Sequence, residues 1–135
     1  MLLALAFALA AQQPAAQQPT SLYEALGLKE PGLRGAELEA AVVTAAAHPL
    51  GSAENPVRAT GPRGEREYLA RLRCADGRPP QVLGRGSGMP GPFGGISDIY
   101  SLRCEGSTPA TGQVTFDMYH QHRETRAAAG FTLVP

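Results

Sequence analysis

Ile96-Ser-Asp-Ile-Tyr-Ser-Leu-Arg-Cys104 is the stretch on which the fold turns. Ile96, Asp98, Tyr100, Leu102 and Cys104 occupy alternate positions, the period of a strand whose two faces meet different surroundings. Asp98 is the awkward member of that inward row. Further along, Val114, Phe116 and Met118 repeat the pattern over about 113–120, and Phe131-Thr-Leu-Val134 can add a fifth strand. Toward the N-terminus, Tyr68, Ala70, Leu72 and Cys74 alternate with Glu67, Leu69, Arg71 and Arg73, which predicts a half-buried strand over 67–74. Asp76-Gly77 turns the chain. Pro79-Pro80 confines the next short strand, about 81–85, to a sheet edge, because proline cannot donate to a ladder. Residues 86–95 read as a Gly/Pro loop.

Upstream the period changes to that of a helix. Leu38, Ala41, Val42 and Ala45 fall at i, i+3, i+4 and i+7, predicting a helix over 36–47. Glu37 and Glu39 suit its positive N-terminal end, and Pro49 pushes the residue before it out of the α region. Ser21-Leu-Tyr-Glu24 has capping-box spacing, and Gly27 can close that short helix, about 21–27, in a left-handed conformation. Helices first and strands after predict an α+β fold, with N-terminal helices packed on a mostly antiparallel sheet of four or five short strands.

The composition narrows the function classes. Twelve basic and twelve acidic residues leave no formal net charge in the 135-residue chain. That argues against a protein that finds nucleic acid by bulk electrostatics. Glycine (16) and proline (12) make up roughly a fifth of the chain, so many turns are expected. Leu2–Ala11 is an apolar run of signal-peptide length, too short to span a bilayer, which takes ~20 residues. Ala8-Leu9-Ala10 supplies the small residues of a cleavage site, placing a signal peptide over 1–10, although no Lys or Arg precedes the run. The repeated Ala-Gln-Gln-Pro of residues 11–20 has nothing to bury and reads as a disordered Gln/Pro/Ala tether. A single α+β domain over 21–135 follows, periplasmic or secreted, with no transmembrane segment in the mature chain.

In such a compartment two cysteines and no third point to a Cys74–Cys104 disulfide. Both follow Leu-Arg at the end of an expected strand. Two C-terminal strand ends reach bonding distance only if the strands run roughly the same way. A fully inserted strand 81–85 would hold them near 10 Å apart. Either that strand stops short, or the two neighbour each other or lie on facing sheets.

Candidate sites are few. His120, His122 and Glu124 would share one face of a continuing strand, and two imidazoles with a carboxylate can hold Zn²⁺ and leave a position for water. The competing reading is a strand that frays after Tyr119, leaving the histidines at a surface turn. Gly86-Ser-Gly88-Met-Pro-Gly91 matches a dinucleotide fingerprint only literally, since Pro90 and Pro92 prevent the helix that motif needs. Gly95-Ile-Ser97-Asp-Ile99 lacks the second glycine of a nucleophile elbow. No catalytic residue is assigned, and no cofactor is implied. Eleven of the twelve basic residues are arginine. Seven of them, Arg58, Arg63, Arg66, Arg71, Arg73, Arg78 and Arg85, lie between residues 58 and 85 against three acids. Arg71, Arg73 and Arg103 would share an outward sheet face able to bind sulfate, phosphate or carboxylate groups, and Phe93 would be the apolar contact of an adaptable 86–95 rim. A solvated basic face is the plainer alternative.

Gly51-Ser-Ala-Glu-Asn-Pro-Val-Arg58, Tyr68-Leu-Ala-Arg-Leu-Arg-Cys74-Ala-Asp-Gly77 and Asp117-Met-Tyr-His120 resemble a group of short, uncharacterised secreted proteins of proteobacteria. The resemblance spans roughly residues 48–122. It implies an exported single domain and carries over no activity. Together these readings predict a non-catalytic binding or envelope-associated module whose partner is an anionic envelope component or another protein. A metal-assisted hydrolase built on His120, His122 and Glu124 is the alternative.

Overall fold

The computed structural model describes residues 25–27 and 31–135. The expected leader, the tether and most of helix 21–27 lie outside the described residues. Gly27, expected to close that helix, has φ 66°, a left-handed value.

Helix α1 spans Gly35–Ala45. Its better-protected residues are Leu38, Ala41, Val42 and Ala45, the stripe legible in the sequence. Strand β1 is Val57–Arg58, and helix α2 follows over Gly61–Arg71. This helix replaces the strand expected over 67–74. The alternation that suggested a strand places Ala70 inside and Leu69 outside, whereas Leu69 is buried and Ala70 exposed. Glu65, Tyr68, Leu69 and Leu72 instead follow i, i+3, i+4, i+7, and all four are buried. Pro62 in the first turn and the i, i+4 pair Arg63–Glu67 (2.8 Å) complete the helical pattern. Only the last residues of the expected strand, β2 (Leu72–Arg73), are extended.

Strands β3 (Gln81–Pro90), β4 (Ile96–Arg103) and β5 (Thr111–Asp117) form an antiparallel meander, and β6 is Thr132–Leu133. The main sheet has the order β1-β5-β4-β3, with β1 parallel to β5, and β2 pairs with β6 in a separate two-stranded sheet. The fold is α+β with a mostly antiparallel sheet. β3 occupies an edge, as Pro79-Pro80 requires, but runs to Pro90 through residues read as loop. Gly86 and Ser87 pair with Ile99 and Asp98, so ladder hydrogen bonds rather than side-chain burial extend this strand.

The Cys74–Cys104 disulfide forms with a Cα–Cα distance of 5.7 Å. β3 is not inserted between its ends: Cys74 follows a strand of the small sheet and Cys104 one of the main sheet. The core gathers Val57, Tyr68, Leu69, Leu72, Tyr100, Leu102, Val114 and Phe116, with Leu50, Phe131 and Leu133 packed against it. Tyr68 and Tyr100 meet the Phe116 ring edge-to-face at 5.6 and 5.4 Å. Ile96, expected inside, is 53% exposed. Gly51 lets the chain pass this core: its φ is 91°, and a Cβ there would stand 3.0 Å from Ala128 Cβ and 3.3 Å from Val114 Cγ1.

Candidate functional site

The chain from β1 into α2 runs beside the segment that follows β5. His120 N–H donates to Ala59 O (3.1 Å), and Gly61 N–H to Met118 O (2.6 Å). Thr60 Oγ1 donates to His120 O at 2.7 Å. These bonds hold residues 121–124 across from α2 and leave a cleft of about 620 Å³ between them. It is lined by Arg58 of β1, by Arg63, Glu67 and Arg71 of α2, and by His122, Arg123 and Glu124 of the segment after β5.

The charges in this cleft do not balance. Arg63 pairs with Glu67, and Glu124 is occupied by Arg126, whose Nε and Nη2 each stand 3.0 Å from it. Among the described residues, Arg58, Arg71 and Arg123 form no ion pair with a carboxylate. Arg71 is held in place, with Nη2 donating to Glu124 O (2.8 Å) and its guanidinium 5.5 Å from the Tyr68 ring centroid. Its Nε is buried without a hydrogen-bond partner, and the buried Nε2 of His122 lies 3.4 Å from Glu124 Oε2. Burial, then the neighbouring Arg58 charge, lowers the His122 pKa despite Glu124 nearby, favouring the neutral imidazole at pH 7. Burial raises the pKa of Glu124, but the Arg126 side chain and backbone N–H overcome it and hold the group at about 2. Glu124 is therefore an ionised anchor for the wall.

The expected metal triad is not assembled. His120 is buried, its Nε2 3.2 Å from Asp117 Oδ1 and its ring edge-to-face with Phe93 at 5.6 Å. His122 instead stands 3.4 Å from Glu124 Oε2. The strand ends at Asp117, so the i, i+2, i+4 face is lost, and among the described residues no three His, Cys, Asp or Glu are placed to hold a metal ion. The expected arginine face is dispersed too. Arg71 ends a helix, and Arg73 donates to Ala70 O and Leu72 O. Arg103 ends β4 and lines a separate 170 Å³ hollow, in which Arg78 pairs with Asp76 and Glu105 is a further lining residue. Phe93 is 1% exposed, a core contact rather than a rim. Of the arginines proposed from sequence, Arg71 alone lines the cleft. Arg58 and Arg63 lay within the basic run already noted, and Arg123 inside the histidine cluster, but nothing local shows that they meet.

A second polar cluster explains the awkward Asp98. This carboxylate, fully buried, pairs with Arg85 Nη2 and accepts from Ser87 Oγ at 2.9 Å. Beside it, buried Glu65 accepts from Tyr100 Oη at 2.9 Å, and Arg85 Nε lies 3.8 Å away. Burial pushes the Glu65 pKa from 4.5 up to about 7, with the Asp98 charge adding to the rise and the Tyr100 bond opposing it. The folded state thus prefers protonated Glu65. Its contribution is complete below the unfolded pKa and is lost as pH rises through the folded one. Stability is expected to fall by on the order of 2 kcal/mol between pH 5 and 8. Urea titrations across that range check this, and Glu65→Gln should flatten the profile; an unchanged slope would refute the assignment.

Fold and cleft together define a disulfide-closed α+β domain that presents an arginine-lined cleft. No protein-family model, no curated protein and no solved structure matches the chain. Among the described residues no helix is long and apolar enough to cross a membrane.

Proposed function

We propose that this protein is an exported, non-catalytic binding module that recognises an anionic component of the cell envelope through the cleft between α2 and residues 121–124. The observation that carries this reading is the convergence of Arg58, Arg71 and Arg123, none ion-paired among the described residues, in a chain with no net charge. Local excess charge of this kind draws and orients an anionic partner even where the whole molecule is neutral. Export is supported by the apolar leader and small-residue cleavage site, and by a disulfide, which persists in oxidising compartments. The resemblance to short secreted proteins points the same way.

Retention on a dextran sulfate column tests the cleft. The mature protein is expected to elute at a defined salt concentration, and Arg58→Ala/Arg123→Ala at a markedly lower one, because exposed charge contacts are screened by salt. Arg103→Ala, outside the cleft, should elute with the parent. Flow-through of the parent at low salt, or an equal shift with Arg103→Ala, would sink the reading. Intact mass of native material tests export: a chain beginning after Ala10 is expected, and a retained Met1 overturns it.

A further inference from the structure

The cleft sets one imidazole among fixed charges. His122 lines it from the segment after β5, with 31% of its side chain exposed. Arg58 of β1 and Arg63, Glu67, Tyr68 and Arg71 of α2 share the cleft with it. On its own segment it is flanked by His120, Arg123 and Glu124. Most of these groups are already matched. Glu67 pairs with Arg63, and buried His120 has its Nε2 3.2 Å from Asp117 Oδ1. Both oxygens of Glu124 are held by Arg126 at 3.0 Å, and Oε1 also accepts from the Thr125 and Arg126 backbone N–H groups. That carboxylate, at about 2, stays ionised wherever an imidazole titrates. Burial pushes the Tyr68 phenol up to about 12, so it stays neutral. Among the described residues, Arg58, Arg71 and Arg123 are left as the fixed excess.

A proton on His122 therefore adds a whole charge to the cleft, because its carboxylates already have partners. In the empty cleft, burial and then the Arg58 charge disfavour that proton, and Glu124, 3.4 Å from Nε2, offsets them only in part. An anion lodged among the three arginines cancels the repulsion and attracts the proton in its place. Each improves the site for the other, and linkage makes the two gains equal. The coupling acts through space, so His122 need not touch the ligand. Resting on the anion-binding reading, we infer that the cleft is a proton-linked anion site: binding draws a proton onto His122, and the ligand is held more tightly as pH falls below neutral.

Calorimetry with sucrose octasulfate, whose sulfate esters stay ionised throughout, separates the protein's titration from the ligand's. Measured at pH 6 in two buffers of different ionisation enthalpy, binding is expected to take up about half a proton, and affinity to rise roughly five- to tenfold from pH 7.5 to 5.0. His122→Gln holds that position neutral, and the ratio of its own affinities at the two pH values should fall close to one. Glu65→Gln, which flattens the stability profile, should keep the full ratio and so tells a response of the cleft from a response of the fold. Should His122→Gln misfold, proton NMR of the parent decides: one imidazole is expected to titrate about one pH unit higher with the octasulfate bound, and to do so still in His48→Gln, altered outside the cleft. Octasulfate binding without proton uptake, a ratio that survives His122→Gln, or imidazoles that do not move would overturn the inference and leave the anion-binding reading standing. If the octasulfate is not held at any pH, both fall.

Discussion

Removing the crosslink in a Cys74→Ala/Cys104→Ala variant is expected to cost roughly 3.5 kcal/mol and to lower Tm by about 15 °C. The bond closes a loop of sequence separation 30, and in the chain-entropy account its main effect is to restrict the unfolded ensemble. Its folded-state role is equally specific. β2 and β6 form only a two-residue ladder, Leu72↔Leu133 and Arg73↔Thr132, and the disulfide fastens that small sheet to the end of β4. A loss of this size is a large share of the ~5–15 kcal/mol that holds an ordinary domain folded. Urea denaturation of the parent and the double variant measures it. A difference below about 1 kcal/mol would show that the small sheet and its surroundings hold themselves in place.

Phe116→Ala should cost still more, about 3–5 kcal/mol. Phe116 has no exposed surface and sits on β5, between β1 and β4 in the main sheet. Its ring receives Tyr68 from α2 and Tyr100 from β4, so truncation empties the point where helix and sheet join. Tyr68 also supports Arg71, so anion binding should weaken along with stability. Phe116→Leu fills most of the space and is expected to lose less than half as much. Calorimetric unfolding of both variants checks the ratio; a Phe116→Ala loss near that of Phe116→Leu would place the join elsewhere.

The elements read from local period survive in the structure where one face meets the core. Tyr100 and Leu102 in β4, and Val114 and Phe116 in β5, are buried as their alternation requires. The helix in place of the strand expected over 67–74 has a definite cause. Over the few residues Glu67–Cys74, alternation and a helical stripe share Tyr68 and Leu72 and part at Leu69 and Ala70; the next stripe position, Glu65, lies upstream and is polar. A carboxylate does not register as a core residue, yet Glu65 is one, because Tyr100 hydrogen-bonds to it and Arg85 lies close by. Asp98 is awkward in the sequence for the same reason, since Arg85 and Ser87 reach it only across the β3–β4 ladder.

By itself, the order of residues determined the α+β class, helix α1, the edge position of β3 and the pairing of the only two cysteines. Each of these follows from spacing along the chain, proline's missing donor or simple counting. Only the tertiary structure decided which charges meet. Arg58, Arg71 and Arg123 share a cleft because β1 runs alongside β5 and the following segment crosses in front of α2, whereas Arg73 and Arg103 are carried elsewhere. Periodicity reports which way a side chain faces within its own element. Proximity between elements depends on where the backbone ladders bring them, and those hydrogen bonds are indifferent to the side chains that form the site.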